Sequence, residues 1–152
     1  MTYIITISDG EKHFSEATSE YLKRLSKNIE LHTLKPVKHT EISYIKREET
    51  KKLIEKIHKL KGKIILCDER GDDIDTMNFA RLLEKGRNEG ENTIFIIGWS
   101  YGVDIDILWK EFQIERLKLS SLVMPHGLAY LVLIEQVYRA LEIIKWSGYH
   151  HQ

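Results

Sequence analysis

The chain closes on "SGYHHQ", which places a phenol at Tyr149 and imidazoles at His150 and His151. Chain ends are usually polar and free to vary, so these residue types raise a question of chemistry. Imidazole gains and loses a proton near neutrality. A phenol can stack on a flat ring while its hydroxyl hydrogen-bonds. Two readings fit: a tail that merely packs, or one that reaches into a site. A metal centre fits less well, because adjacent His150 and His151 cannot easily converge on one ion and no third ligand is evident. Upstream, Glu135 and Arg139 stand one helical turn apart with the Glu first. That order favours an ion pair holding the helix; the other reading puts Arg139 on an RNA phosphate. His126, after Pro125, reads either as a functional group or as one that orders its loop.

These groups need elements to position them. "YIITIS" (3–8), "IELHTLKP" from Ile29, "KIILCD", "NTIFIIG" and "ERLKLSS" are rich in β-branched and apolar residues and read as strands. Helices are expected over 16–25, 43–60, 76–88, 104–112 and 128–145. The second carries an apolar stripe through Ile45, Leu53, Ile57 and Leu60. Asp75 can cap the third, and Gly90 follows its end. Strands alternating with helices imply an α/β fold with a mainly parallel sheet flanked by helices. In open sheets of that kind, ligands bind beyond the carboxyl ends of the strands. Three such ends stand out: "CDERGDD", "IIGWSYGVD" and "LSSLVMPHG". Gly98 and Gly102 flank the second, either as turn glycines or as places where backbone approaches a ligand.

At 152 residues with 42% apolar and 30% charged residues, the chain fits one domain with a sizeable core. Lysine plus arginine balances aspartate plus glutamate, which argues against a dedicated duplex-DNA binder. The single Cys67 forms no internal disulfide and suits a reducing cytosol. The start "MTYIITISDGEKHF" lacks a basic leader and a long apolar run, and nothing approaches a membrane span. A cytoplasmic location is therefore expected. No G-x-G-x-x-G, no P-loop and no zinc-spaced cluster occurs. From Lys46 to Lys63 there are eight Lys or Arg against three Glu, either a phosphate-contacting stretch or the solvated face of a helix.

The C-terminal third carries a more specific signal. Leu119-Ser120-Ser121-Leu122, Pro125-His126, Glu135-Gln136-Val137-Tyr138-Arg139-Ala140 and the final Tyr149-His150, preceded by "CDERG" and "IIG", resemble the bacterial 23S ribosomal RNA pseudouridine-N3 methyltransferases. These are small single-domain members of the SPOUT superfamily. The resemblance covers essentially the whole chain. It implies a C-terminal trefoil knot, a rarity among folds, and a homodimer. It also implies S-adenosylmethionine held in a bent form by Cys67, Gly98, Trp99 and the run Leu119, Ser120, Ser121, Leu122, Val123 and Met124. Cys67 would then be a contact at a strand end and not a nucleophile. The implied reaction is methyl transfer to N3 of a pseudouridine in helix 69 of the 23S RNA, within the ribosome. Tyr149, His150 and Arg139 would serve the acceptor, with Tyr149 orienting the base and His150 relaying a proton.

The chain departs from the family pattern in places. Gly98-Trp99-Ser100-Tyr101-Gly102 stands where Gly-Gly-Pro-Glu-Gly is usual, Tyr130 replaces an arginine, and His151 replaces a terminal basic residue. Two alternatives follow: a SPOUT enzyme with another RNA nucleoside as target, or a non-catalytic relative that binds ribosomes or RNA.

Overall fold

The computed structural model describes residues 1–10, 12–98 and 100–146. Strands and helices alternate along it as β1 (Thr2–Ile7), α1 (Ser15–Leu25), β2 (Ile29–Leu34), α2 (Ile42–Leu60), β3 (Lys63–Asp73), α3 (Thr76–Asn88), β4 (Thr93–Ile97), α4 (Ile105–Glu111), β5 (Ile114–Lys118) and α5 (His126–Ile144). The strands form one five-stranded sheet in the order β2-β1-β4-β3-β5. Every neighbouring pair is parallel.

Parallel strands joined by helical crossovers are covered on both faces, so their sequences need not alternate. The burial pattern shows this directly. Ile4, Ile65, Phe95 and Ile97 point to one face, where they meet Phe79 and Leu83 of α3 and Leu133, Ile134 and Val137 of α5. Ile5, Ile7, Ile64, Leu66, Ile94 and Ile96 point to the other, against Leu53 and Ile57 of α2 and Leu108 of α4. The near-continuous run of "TIFII" in β4 is therefore two interleaved core faces.

Several boundaries differ from expectation. β5 ends at Lys118, so Leu119 to Ser121 of "ERLKLSS" belong to the following loop. The polar "ERGDD" stretch reads as a loop but belongs to β3. Both Cys67 and Asp72 register with Leu117 of β5, so residues 68–71 bulge out and pairing then resumes at Asp73 with Lys118. Gly71 makes the return possible: a Cβ there would lie 2.7 Å from backbone atoms of Arg116 and Leu117. Helix α5 begins at His126 and not at Leu128, because Pro125 with φ −62° stands at its N-cap and its carbonyl accepts from the Ala129 amide at 3.0 Å. Proline has no amide to lose at a helix start, where that donor lacks an intrahelical partner.

Candidate active site

Strands β4, β3 and β5 are neighbours, so the segments leaving their carboxyl ends are neighbours too. Together they enclose a cleft of about 570 Å³. Its walls come from the β3 bulge (Asp68, Glu69, Arg70), the β4–α4 loop (Gly98, then Ser100 to Val103) and the β5–α5 loop (Leu119 to His126, Ser121 apart). That volume lies within the range of about 300–1,000 Å³ usual for small-molecule sites.

Each wall is fixed by local chemistry. In the β4–α4 loop, Gly102 takes φ +75°, where a side chain would be strained, and a Cβ on Gly98 would press on the Gly102 Cα at 3.3 Å. The glycines thus serve the turn. Asp104 then caps α4, its carboxylate accepting from the Ile107 amide at 3.2 Å. The buried Thr50 hydroxyl of α2 accepts from the Asp104 amide at 2.9 Å and donates to the Lys46 carbonyl at 2.6 Å. In the third wall, His126 Nε2 lies 2.7 Å from Thr6 Oγ1, tying the start of α5 to β1. Its ring stacks on Tyr130 at 6.4 Å. The loop-ordering reading of His126 thus has a partner, on a residue that also lines the cleft.

The bulge contributes a fixed negative charge. The Asp68 side chain is only 12% exposed. Burial alone would raise its carboxyl. The Arg70 amide at 2.9 Å and guanidinium at 3.3 Å, with Arg116 at 3.7 Å, overcome that and hold it below the usual carboxylate range. At Cys67 burial works unopposed and pushes the thiol up to about 12. The thiol is neutral at physiological pH, as the reading of Cys67 as a contact requires.

Of the residues implied for the cofactor, Cys67, Gly98, Leu119, Ser120, Leu122, Val123 and Met124 line this cleft. Ser121 is exposed beside it. Trp99, Tyr149 and His150 lie outside the described residues. Arg139 is elsewhere: it stands ten residues beyond Ala129, the last cleft-lining position of α5, or roughly 15 Å along the axis. Its Nη2 donates to Glu135 Oε1 at 2.6 Å, so the ion pair is present. Glu135 Oε2 also accepts from Gln136, whose side-chain oxygen accepts from Thr76 Oγ1 at 3.1 Å. The Glu-Gln-…-Arg signature therefore joins α5 to the start of α3. Tyr130 is buried against the core, where its phenol is pushed up to about 12, and does not line the cleft. Asp68, Glu69 and Arg70 of the "CDERGDD" end and Lys46 of the basic stretch also line the cleft, although none was assigned an individual role from the sequence.

A parallel α/β sheet with a cleft built from three post-strand segments is the form of a small-molecule-binding enzyme of the doubly wound kind. The family profile described as "Predicted SPOUT methyltransferase" matches residues 1–150. The chain belongs to the SPOUT methyltransferases. Among similar proteins is the ribosomal RNA large subunit methyltransferase H of Herminiimonas arsenicoxydans, 38% identical and aligned over 86% of this chain and 85% of that one. The protein of the same name from Caldicellulosiruptor bescii is 35% identical over 92% of each chain. That from Dechloromonas aromatica is 32% identical over 91% of this chain and 89% of the other. A crystal structure from Bacillus anthracis shares the fold at a TM-score of 0.54 and 13% identity, covering 92% of this chain and 94% of that one.

Proposed function

We propose that this chain, as one domain over 1–152, methylates N3 of a pseudouridine in helix 69 of large-subunit ribosomal RNA, on the ribosome and with S-adenosylmethionine as donor. The observation that carries the reading is the cleft itself. In a chain of this family, three separate segments implied as cofactor contacts converge on one cavity. The lining suits the donor. Leu66, Ile97, Val103 and Met124 offer apolar surface for a flat base, and the ionised Asp68 faces a ligand that carries positive charge. Bound S-adenosylmethionine would supply an already electrophilic methyl group.

The remaining work falls to this chain's residues. The walls hold donor and acceptor in line and exclude water, which is where most of the rate of such a transfer arises. N3 of the base must shed a proton before its lone pair can attack. On this reading His150 takes or relays that proton, and Tyr149 stacks on or orients the base. Leu122 and Val123 on the cleft rim are 77% and 81% exposed, a pair that a second copy would cover. We therefore read the enzyme as a homodimer, with the C-terminal third knotted as in the family, and as cytoplasmic, where ribosomes are. Among the described residues no helix is long and apolar enough to cross a membrane.

Calorimetric titration with S-adenosylmethionine, followed by methylation of ribosomes that lack the modification, tests this reading. Binding in the micromolar range and one new methyl group mapped to N3 of a helix 69 pseudouridine are expected. A methyl group on another nucleoside would move the acceptor. Ribosome binding without transfer, in a protein that takes up no donor, would replace the proposal with a non-catalytic role.

A further inference from the structure

The layer of α2 and α4 carries a feature that the cleft does not use. Helix α4 buries Leu108 fully and leaves Trp109 49% exposed, although an indole gains much from burial. The guanidinium carbon of Arg116, on the edge strand β5, lies 5.2 Å from the Trp109 ring centroid. Arg116 also reaches the cleft-lining Asp68, Nη1 to Oδ2 at 3.7 Å. The indole, the guanidinium and the cleft wall are thus successive neighbours. On the same layer α2 brings Lys46 to the cleft and exposes Lys51, Lys52 and Lys59 beyond it. Lys46 and Lys59 make no ion pair among the described residues, Lys51 pairs with Glu48 at 2.9 Å, and Lys52 donates to the Lys35 carbonyl at 3.0 Å, beyond β2 at the other edge of the sheet.

This combination favours one kind of partner. An exposed aromatic face steadied by a guanidinium, one residue removed from the wall of the cleft, matches single-stranded nucleic acid, whose bases stack on such rings. A protein-docking surface would be expected to group several apolar side chains at its centre, and here the group against the indole is the Arg116 guanidinium. We infer that Trp109, backed by Arg116, is a stacking platform for an unpaired RNA nucleotide flanking the one that enters the cleft. The inference rests on the RNA-substrate reading above and adds the path that the strand takes across α4.

The test uses the full-length protein and purified ribosomes that lack the modification. W109L keeps an apolar side chain and removes the aromatic face; W109F keeps a face. Ribosome affinity is expected to fall about tenfold in W109L and to recover largely in W109F. Affinity for S-adenosylmethionine and the thermal midpoint should stay at the parent's values. Ultraviolet irradiation of the parent complex should cross-link the peptide bearing Trp109 to ribosomal RNA, a readout that needs no variant to fold. Unchanged ribosome affinity in a stable W109L, or a cross-link to ribosomal protein instead of RNA, would overturn the inference. The two readings separate cleanly. A parent that binds ribosomes but transfers no methyl removes the enzymatic reading and leaves the platform open to the same affinity test. A parent that methylates normally while W109L matches it removes the platform alone. A parent that binds no ribosomes removes both.

Discussion

Cys67 sits at the last regular pairing of β3 before the bulge, and burial raises its thiol from an ordinary 9.0 to about 12. Below about pH 9 the thiol holds its proton in both folded and unfolded chains and adds no pH dependence. Above that, the unfolded thiol ionises while the folded one does not. The unfolded state then binds fewer protons, and stability falls as pH rises towards 12, by up to about 1.4 kcal/mol per unit from this group. Tyr130, raised from 10.0 to about 12 by burial, adds the same sign at a higher pH. Urea unfolding at about pH 8 and about pH 10 should therefore show a larger loss in the parent than in Cys67→Ala. Equal losses would show that the thiol is not shielded. Methyl transfer should survive that substitution, since a neutral thiol offers no nucleophile. Gly71 is constrained more tightly. A Cβ at 2.7 Å from the β5 backbone meets atoms that cannot rotate aside. Gly71→Ala should cost about 1–3 kcal/mol by urea unfolding. It should also weaken S-adenosylmethionine binding, because the bulge that carries Asp68 must shift.

At the scale of elements, the strands and helices were legible because each sequence segment agrees with its structural period. "TIFII" reads as a buried parallel strand and is one. Asp75 reads as a cap and accepts from the Asn78 amide at 2.7 Å. The three strand ends chosen from the sequence are those that line the cleft. What the sequence did not disclose depends on partners distant in the chain. "ERGDD" looks like a loop until β5 is alongside to pair with it. The sheet order β2-β1-β4-β3-β5, and the contacts of Arg116 with Trp109 and with Asp68, have no local signature. Arg139 illustrates the converse, since its spacing from Glu135 announces the ion pair that the structure contains. Thr50 is another tie invisible in sequence. It is fully buried in α2 and holds the first turn of α4 through the Asp104 amide. Thr50→Val keeps the shape and strands that amide. The expected cost is about 1–3 kcal/mol in unfolding free energy. A weaker grip on S-adenosylmethionine should accompany it, since the β4–α4 loop ends at this tie. A loss of stability with unchanged cofactor affinity would show that the loop is set by Gly98 and Gly102 alone.

For the whole molecule, the division between scaffold and chemistry can be tested at the C-terminus. Among the described residues, the core clusters reach no further along the chain than Ile144. Among the described residues, the last to line the cleft is Ala129. If the tail serves the acceptor alone, removing Tyr149 to Gln152 should leave the sheet, the helices and the cleft in place. On that reading a protein ending at Gly148 should unfold within a few degrees of the parent. Its affinity for S-adenosylmethionine should stay within about threefold of the parent's, a change of less than about 0.7 kcal/mol. Methyl transfer to ribosomes should nevertheless drop by about a hundredfold or more, the size of effect expected when a general acid–base group is lost from its site. That separation of binding from turnover is what a tail acting on the acceptor requires. A truncated protein that methylates at the parental rate would return Tyr149 and His150 to the packing role, and the proton would need another acceptor near the cleft, with Asp68 and Glu69 the first to substitute. A truncated protein that loses the donor as well would mean instead that the tail closes the cofactor site. Wild-type chains mixed with truncated ones would then show whether a second copy can supply the missing residues.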